Sequence, residues 1–105
     1  MSGSFGELGS LLKQAQQMQR DLDKVREELR NITVEGSAQG VRVLVAGDRQ
    51  ISKVEISDEL MASGDRSVIE DLLLIALKDG VTKASKLAEE KMGKVTGGVN
   101  LPGLF

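Results

Sequence analysis

Residues 8–32 read LGSLLKQAQQMQRDLDKVREELRNI, and within them Leu8, Leu11, Ala15, Met18, Leu22, Val25, Leu29 and Ile32 recur at alternating steps of three and four. This heptad seam draws one narrow apolar stripe along a helix of about 25 residues, roughly 37 Å long at about 1.5 Å of rise per residue. A domain of 105 residues has an expected radius of gyration of about 13 Å. Its own chain is too small to cover so long a helix, which therefore needs a partner helix and, beyond that, a partner chain.

Downstream of the seam the period changes from helical to two-residue. The helix is expected to begin near Glu7 or Ser10 and to fade by Asn31, because Thr33-Val34-Glu35 brings β-branched residues and Gly36 follows. Gly40 to Ala46 alternates, with Val41, Val43 and Val45 on one face and Arg42 and Leu44 on the other. Gly47-Asp48-Arg49-Gln50 has turn chemistry, and Ile51 to Ile56 makes the next strand with Val54 and Ile56 on one face. Connections this short require antiparallel pairing. The sheet is thus a three-stranded meander over roughly 32–57, with Val41, Val43, Val45, Val54 and Ile56 as its core and dimer-forming residues.

Asp58-Glu59-Leu60-Met61 is expected to form a short helical turn before Gly64. Ser67 with Glu70 fits a capping box at the start of a long last helix, and Asp65 competes as the cap. From Val68 to Leu77 apolar residues surround much of that helix, whereas Val81, Ala84, Ala88, Met92 and Val95 leave only a narrow stripe, so its first half is core and its second half projects. Gly97-Gly98 stops it. The chain is therefore a single α+β domain over 1–105: arms at roughly 7–31 and 65–96, the sheet between them, and a flexible tail over 97–105 that Pro102 keeps from being helical.

Composition excludes several kinds of chemistry. The chain has no His, Cys, Tyr or Trp, so it lacks the usual general base, thiolate nucleophile and disulfide or zinc framework. The adjacent carboxylates Glu27-Glu28, Asp58-Glu59, Glu70-Asp71 and Glu89-Glu90 point about 100° apart on a helix instead of converging on a metal or a scissile bond. Gly80-Val81-Thr82-Lys83 lies inside a helical pattern without phosphate-loop spacing, and Gly80 reads better as a point of close helix contact. Enzymatic activity, cofactor, metal and small-molecule substrate are all absent from the expectation. The longest apolar run, Leu72 to Leu77, is far short of a bilayer span, and no basic segment followed by a hydrophobic one opens the chain, so neither secretion nor membrane insertion is expected.

The 14 basic and 16 acidic residues nearly cancel, but they are unevenly placed. Residues 8–20 and 80–105 carry Lys13, Arg20, Lys83, Lys86, Lys91 and Lys94 against only Glu89 and Glu90. Acid collects instead in Asp48, Glu55, Asp58, Glu59, Asp65, Glu70 and Asp71, which is either a solvated surface or a region that repels a polyanion. If the first and last helices lie antiparallel, the basic chain ends meet.

Read in order, the chain opens with Leu11-Leu12-Lys13-Gln14-Ala15-Gln16-Gln17-Met18-Gln19 and continues through Val34-Glu35-Gly36, Gly40-Val41-Arg42-Val43, Gly47 and Glu89-Glu90-Lys91-Met92-Gly93-Lys94. It closes with Gly97-Gly98-Val99-Asn100-Leu101-Pro102-Gly103-Leu104-Phe105. This order and spacing strongly resemble the YbaB/EbfC family of bacterial nucleoid-associated proteins over nearly the whole length. The resemblance implies a homodimer built around paired sheets, with long helices projecting like tweezer arms, that binds double-stranded DNA in the cytoplasm on the nucleoid. Many relatives end the third strand with Ile-Asp-Pro where this chain has Ile56-Ser57-Asp58, so the following loop is expected to differ.

Within that frame Lys13, Arg20, Lys83, Lys86, Lys91 and Lys94 are the candidate DNA-binding residues, gripping phosphates from the two arms of a two-fold dimer and releasing counterions, with bridging or compaction when several dimers bind. The glutamines at 14, 16, 17 and 19 read better as solvent-facing helix residues than as readers of base edges. The rival reading is a protein-interaction module or adaptor that docks partners through the heptad stripe and the Leu-Pro-Gly-Leu-Phe tail.

Overall fold

A computed structural model of the chain describes residues 2–97, with side chains from Gly6 onward; the expected tail beyond Gly97 lies outside the described residues. Within them α1 (Ser2–Arg30) leads into β1 (Thr33–Ala38), β2 (Val41–Ala46) and β3 (Ile51–Ile56), followed by α2 (Asp58–Ala62) and α3 (Arg66–Val95). This is the α+β arrangement expected from the sequence. α1 starts at Ser2, earlier than Glu7: once a helix is nucleated each added residue brings a hydrogen bond, which here outweighs the cost of Gly6 and Gly9.

The sheet is an antiparallel meander in the order β1-β2-β3. Gly36 pairs with Val43 and Val43 with Val54, so these positions share one face. Gly40, at φ 80°, closes the first hairpin. On the covered face Val41, Val43 and Val45 are buried. The opposite face is polar: Arg42 bridges Glu35 on β1 and Glu55 on β3, and Lys53 meets Glu55 at 2.9 Å. Lys53 first, then Arg42, holds the Glu55 carboxyl below its ordinary pKa.

What covers the valines is a stripe of small residues. Ala76, Gly80, Ala84 and Ala88 recur every fourth position of α3 and are buried, which lets the helix backbone descend onto the sheet at Gly36. A Cβ at Gly36 would stand 2.2 Å from the Ala76 carbonyl oxygen and 2.4 Å from the Gly80 nitrogen, and one at Gly80 would stand 2.7 Å from a Val45 methyl. The contact runs along β1 and β2 and barely reaches β3. One flank of α3 is laced to β1: Asp79 accepts from the Ser37 backbone N–H at 3.0 Å, and Lys83 donates to the Glu35 carbonyl at 3.1 Å.

Past the sheet, α3 meets the end of α1. Leu22 and Leu29 are buried, and Leu29 lies with Ala88 and Met92 beside Gly47, where a Cβ would stand 2.7 Å from the Leu29 carbonyl oxygen. The two helices run in opposite directions but are strongly staggered. Each is roughly 44 Å long and the chain extends 76 Å along its longest axis, so they overlap for only about eight residues. Leu8, Leu11, Leu12 and Met18 consequently lie uncovered.

Caps define the remaining helix starts. The Ser57 hydroxyl accepts from the Leu60 N–H at 3.2 Å and opens α2, so the departure at Ile56-Ser57-Asp58 supplies a cap. Asp65, not Ser67, caps α3, its carboxylate accepting from the Val68 N–H at 3.2 Å. Ser67 already lies within the helix, and Glu70 pairs with Arg66.

Replacing Gly36 with alanine forces backbone apart from backbone and is expected to cost about 3 kcal/mol or more, the upper end for overpacking. Gly93→Ala meets nothing within 4 Å and should stabilise α3 by about 0.5–1 kcal/mol. Urea denaturation of both variants checks the pair, and a Gly36→Ala chain as stable as the parent contradicts the close contact.

Candidate nucleic-acid interface

The stagger of α1 and α3 decides where each cation stands. Lys13 and Arg20 occupy exposed positions on α1, with Lys13 about 13 Å beyond the buried Leu22. Arg20 donates to the Gln17 side chain at 3.0 Å, Gln17 in turn donates to Asp21, and Gln19 donates to Asp23. Two of the four glutamines are therefore engaged along the helix surface. On α3, Lys86 and Lys94 are exposed and Lys91 is half-buried. Among the described residues Lys13, Lys86, Lys91 and Lys94 make no ion pair.

Lys83 differs from these. It stands over β1, bonded to the Glu35 carbonyl and to Asp79 at 3.0 Å, about 16 Å along the helix from Lys94. Arg20 and Lys94 thus both stand near the outer end of the overlap of the two helices, Lys13 lies outward from it, and Lys83 lies at the root. The six cations form a file along the arm, not one tip. Acid lies at the other end of α3, where Asp58 and Glu59 of α2 join Asp65, Glu70 and Asp71. Asp65 at the cap of α3 and Lys94 in its last turn also suit the helix dipole.

The sheet residues divide in a similar way. Val41, Val43 and Val45 are sealed under α3 of the same chain, and Ile56 packs beside them. Val54, facing the same way, is 44% exposed, and Ile51, paired with Val45 across an irregularity, is 50% exposed. Because Asp79 and Lys83 reach toward β1, the opposite flank of α3, bearing Leu77 and Val81, is turned to the β3 side without covering that strand. With Leu74, itself 52% exposed, and the half-buried Leu77 and Val81, these side chains make an apolar face that its own chain covers only in part.

Three further cations were not among those expected from the sequence. Arg26, Arg30 and Arg49 line a depression of about 240 Å³ at the root of the arm, floored by Leu29, Ala88 and Met92. The first two are a helical turn apart, but only the fold brings the β2–β3 turn and Arg49 against them; no spacing along the chain announces it. Among the described residues no group of His, Cys, Asp and Glu is arranged to hold a metal, and no helix is long and apolar enough to cross a membrane.

The family model described as the YbaB/EbfC DNA-binding family matches residues 5–99. A nucleoid-associated protein of Acetivibrio thermocellus is 40% identical, over 98% of this chain and 94% of its own length. Another, from Chloroflexus aggregans, is 45% identical over 90% of this chain and 95% of its own. The crystal structure of an uncharacterized protein from Helicobacter pylori superposes with a TM-score of 0.72, covering 89% of this chain and 97% of that one, at 22% identity. That last likeness speaks for the fold alone.

The Ser37 N–H, and after it Lys83, holds the Asp79 carboxyl below its ordinary pKa. A depressed carboxyl stabilises the fold above the unfolded value, 3.8 for this group, and the contribution disappears as pH falls through the lower folded value. Asp79→Asn is therefore expected to lose less stability than the parent on acidification from neutral pH to below that value. Thermal denaturation across the range checks it, and identical pH profiles contradict the assignment.

Proposed function

The chain belongs to the YbaB/EbfC DNA-binding family, and from that premise we propose that two copies join as a homodimer whose helical arms grip the phosphates of double-stranded DNA. Membership carries a non-enzymatic, DNA-associated role. Nothing along the chain offers base-specific readout of the helix-turn-helix or zinc-finger kind, and without tyrosine or tryptophan stacking on single strands has little to work with. The partner is the duplex backbone, and the place of work is the cytoplasm, on the bacterial nucleoid.

One observation carries this reading: charge is segregated along the molecule. Among the described residues Lys13, Lys86, Lys91 and Lys94 stand without ion pairs on an arm, while Asp58, Glu59, Asp65, Glu70 and Asp71 gather at the far end of α3. A net-acidic protein that carries these four lysines on one prong, away from its acidic end, offers a polyanion a place to bind there. Arg20 adds to the arm and Lys83 to its root, the latter after exchanging Asp79 for phosphate. The apolar face of Ile51, Val54, Leu74, Leu77 and Val81 supports the dimer, because patches of this kind mark association surfaces. Two prongs per particle give two grips, which is the basis for bridging and compaction when dimers accumulate on DNA.

A second reading also has an observation in its favour. Leu8, Leu11, Leu12 and Met18 form an uncovered stripe on the projecting half of α1, a surface suited to a partner helix in an adaptor protein.

Salt and charge reversal separate the two. With about six phosphates neutralised per dimer, raising salt from 50 to 200 mM is expected to weaken duplex binding by about 10³-fold. Replacing Lys86, Lys91 and Lys94 together with glutamate should abolish binding while leaving the melting temperature near that of the parent. Fluorescence anisotropy with a labelled duplex reads both effects. A flat salt dependence, or full binding by the folded charge-reversed chain, contradicts phosphate contact and favours the adaptor.

A further inference from the structure

The depression at the arm root bears on the DNA reading and deepens it. Its rim carries Arg26, Arg30 and Arg49, and Leu29 and Met92 contribute to its floor. Arg26 pairs with Asp23 and Arg30 with Glu27, each at 3.0 Å, each between neighbours three apart on an open helix surface. Pairs of that kind are weak and screened, and a phosphate displaces them readily. Asp48, the one acid on the rim, accepts from the Gln50 N–H at 3.2 Å and so serves the turn.

Arg49 is the unusual member. Its backbone sits at φ 71°, left-handed, while its N–H donates to the Ala46 carbonyl at 2.8 Å. Glycine or asparagine fits such a position with less strain than a long side chain. Among the described residues the Arg49 guanidinium makes no hydrogen bond or ion pair. A strained backbone that holds an unengaged cation over a hollow shared with two more arginines is poor economy for a turn but sound construction for an anion seat.

We propose that Arg26, Arg30 and Arg49 form a phosphate-binding site at the base of the arm, occupied by a backbone phosphodiester of the DNA held along it. Guanidinium forks suit this task because each presents paired N–H donors to two phosphate oxygens, where lysine offers a point charge. The arm's lysines hold the duplex along its length, and the arginine seat fixes how deeply it enters. The site rests on the DNA-binding reading for its occupant, and on the hollow's own geometry for its chemistry.

Arg49→Gly is the decisive variant, since it relieves the backbone strain while removing the guanidinium. It is expected to fold at least as stably as the parent, to bind labelled duplex about tenfold more weakly at 0.1 M salt, and to lower the salt slope by about one. Arg26→Gln, in which the helix is undisturbed, should act in the same direction. If both variants bind the duplex with the parent's affinity and slope, the site is refuted while the DNA reading stands. If the parent binds no duplex, the DNA reading fails by itself, and inorganic phosphate becomes the probe. Backbone amide shifts at Gly47 and Arg49 that saturate with phosphate in the parent and vanish in Arg49→Gly then support a seat for a free phosphate-bearing ligand; no shifts overturn it.

Discussion

Everything in this molecule is positioned by the contact of α3 on β1 through Gly36 and Gly80. Helix and strand meet backbone to backbone there, with Ala76 and Ala84 on either side and Val43 and Val45 filling the space beneath. The core is small and aliphatic, so little else fixes the height and heading of the helix. Methyl groups at those glycines would lift α3 off the sheet, and the lifted helix would lose its line toward Leu29 and the end of α1. A contact between two residues 44 positions apart in sequence thus sets the direction of an arm whose working part is remote from it.

That placement leaves two surfaces open for the same reason. Because α3 follows β1 and β2, the valine and isoleucine of β3 have no helix above them. Because α3 ends soon after passing Leu29, it covers the α1 seam only at its C-terminal half. The first surface lies beside the core and suits a second copy of the chain. The second lies out on the prong among Lys13 and Arg20, where any partner would also meet the basic file. Stagger, and not simple hairpin packing, is what turns two long helices into a molecule 76 Å long and only 20 Å across.

Much of the fold was legible in the sequence, since it depends on short-range signals. The heptad steps of α1, the strict alternation of Val41, Val43 and Val45, and the glycines at 40 and 47 each determine their element locally. Gly80 was readable as a contact point, though its counterpart Gly36 was not, because β-strand sequence carries no sign of what passes overhead. The cap of α3 went to Asp65 over Ser67, a choice between two good caps that depends on where the loop from α2 arrives. The candidate interface was legible as a list of cations but not as an arrangement: Lys83 is drawn to Asp79 and β1, and Arg49 joins Arg26 and Arg30 only through the folding back of the β2–β3 turn. Val54 is apolar, alternates correctly and yet lies open, because the pattern of a strand shows which way a side chain faces but not whether anything covers it.

The most direct test of the proposed assembly is the solution mass of the intact chain beside that of Val54→Asp, measured by sedimentation equilibrium at micromolar concentration with duplex binding followed on the same samples. The parent is expected at twice its chain mass of 11.3 kDa and bound to DNA; the variant is expected as a folded monomer with binding reduced to that of a single arm. A parent that sediments as a monomer and still binds the duplex tightly, or a Val54→Asp chain that remains a dimer, would contradict a pair of arms joined through the open face of β3.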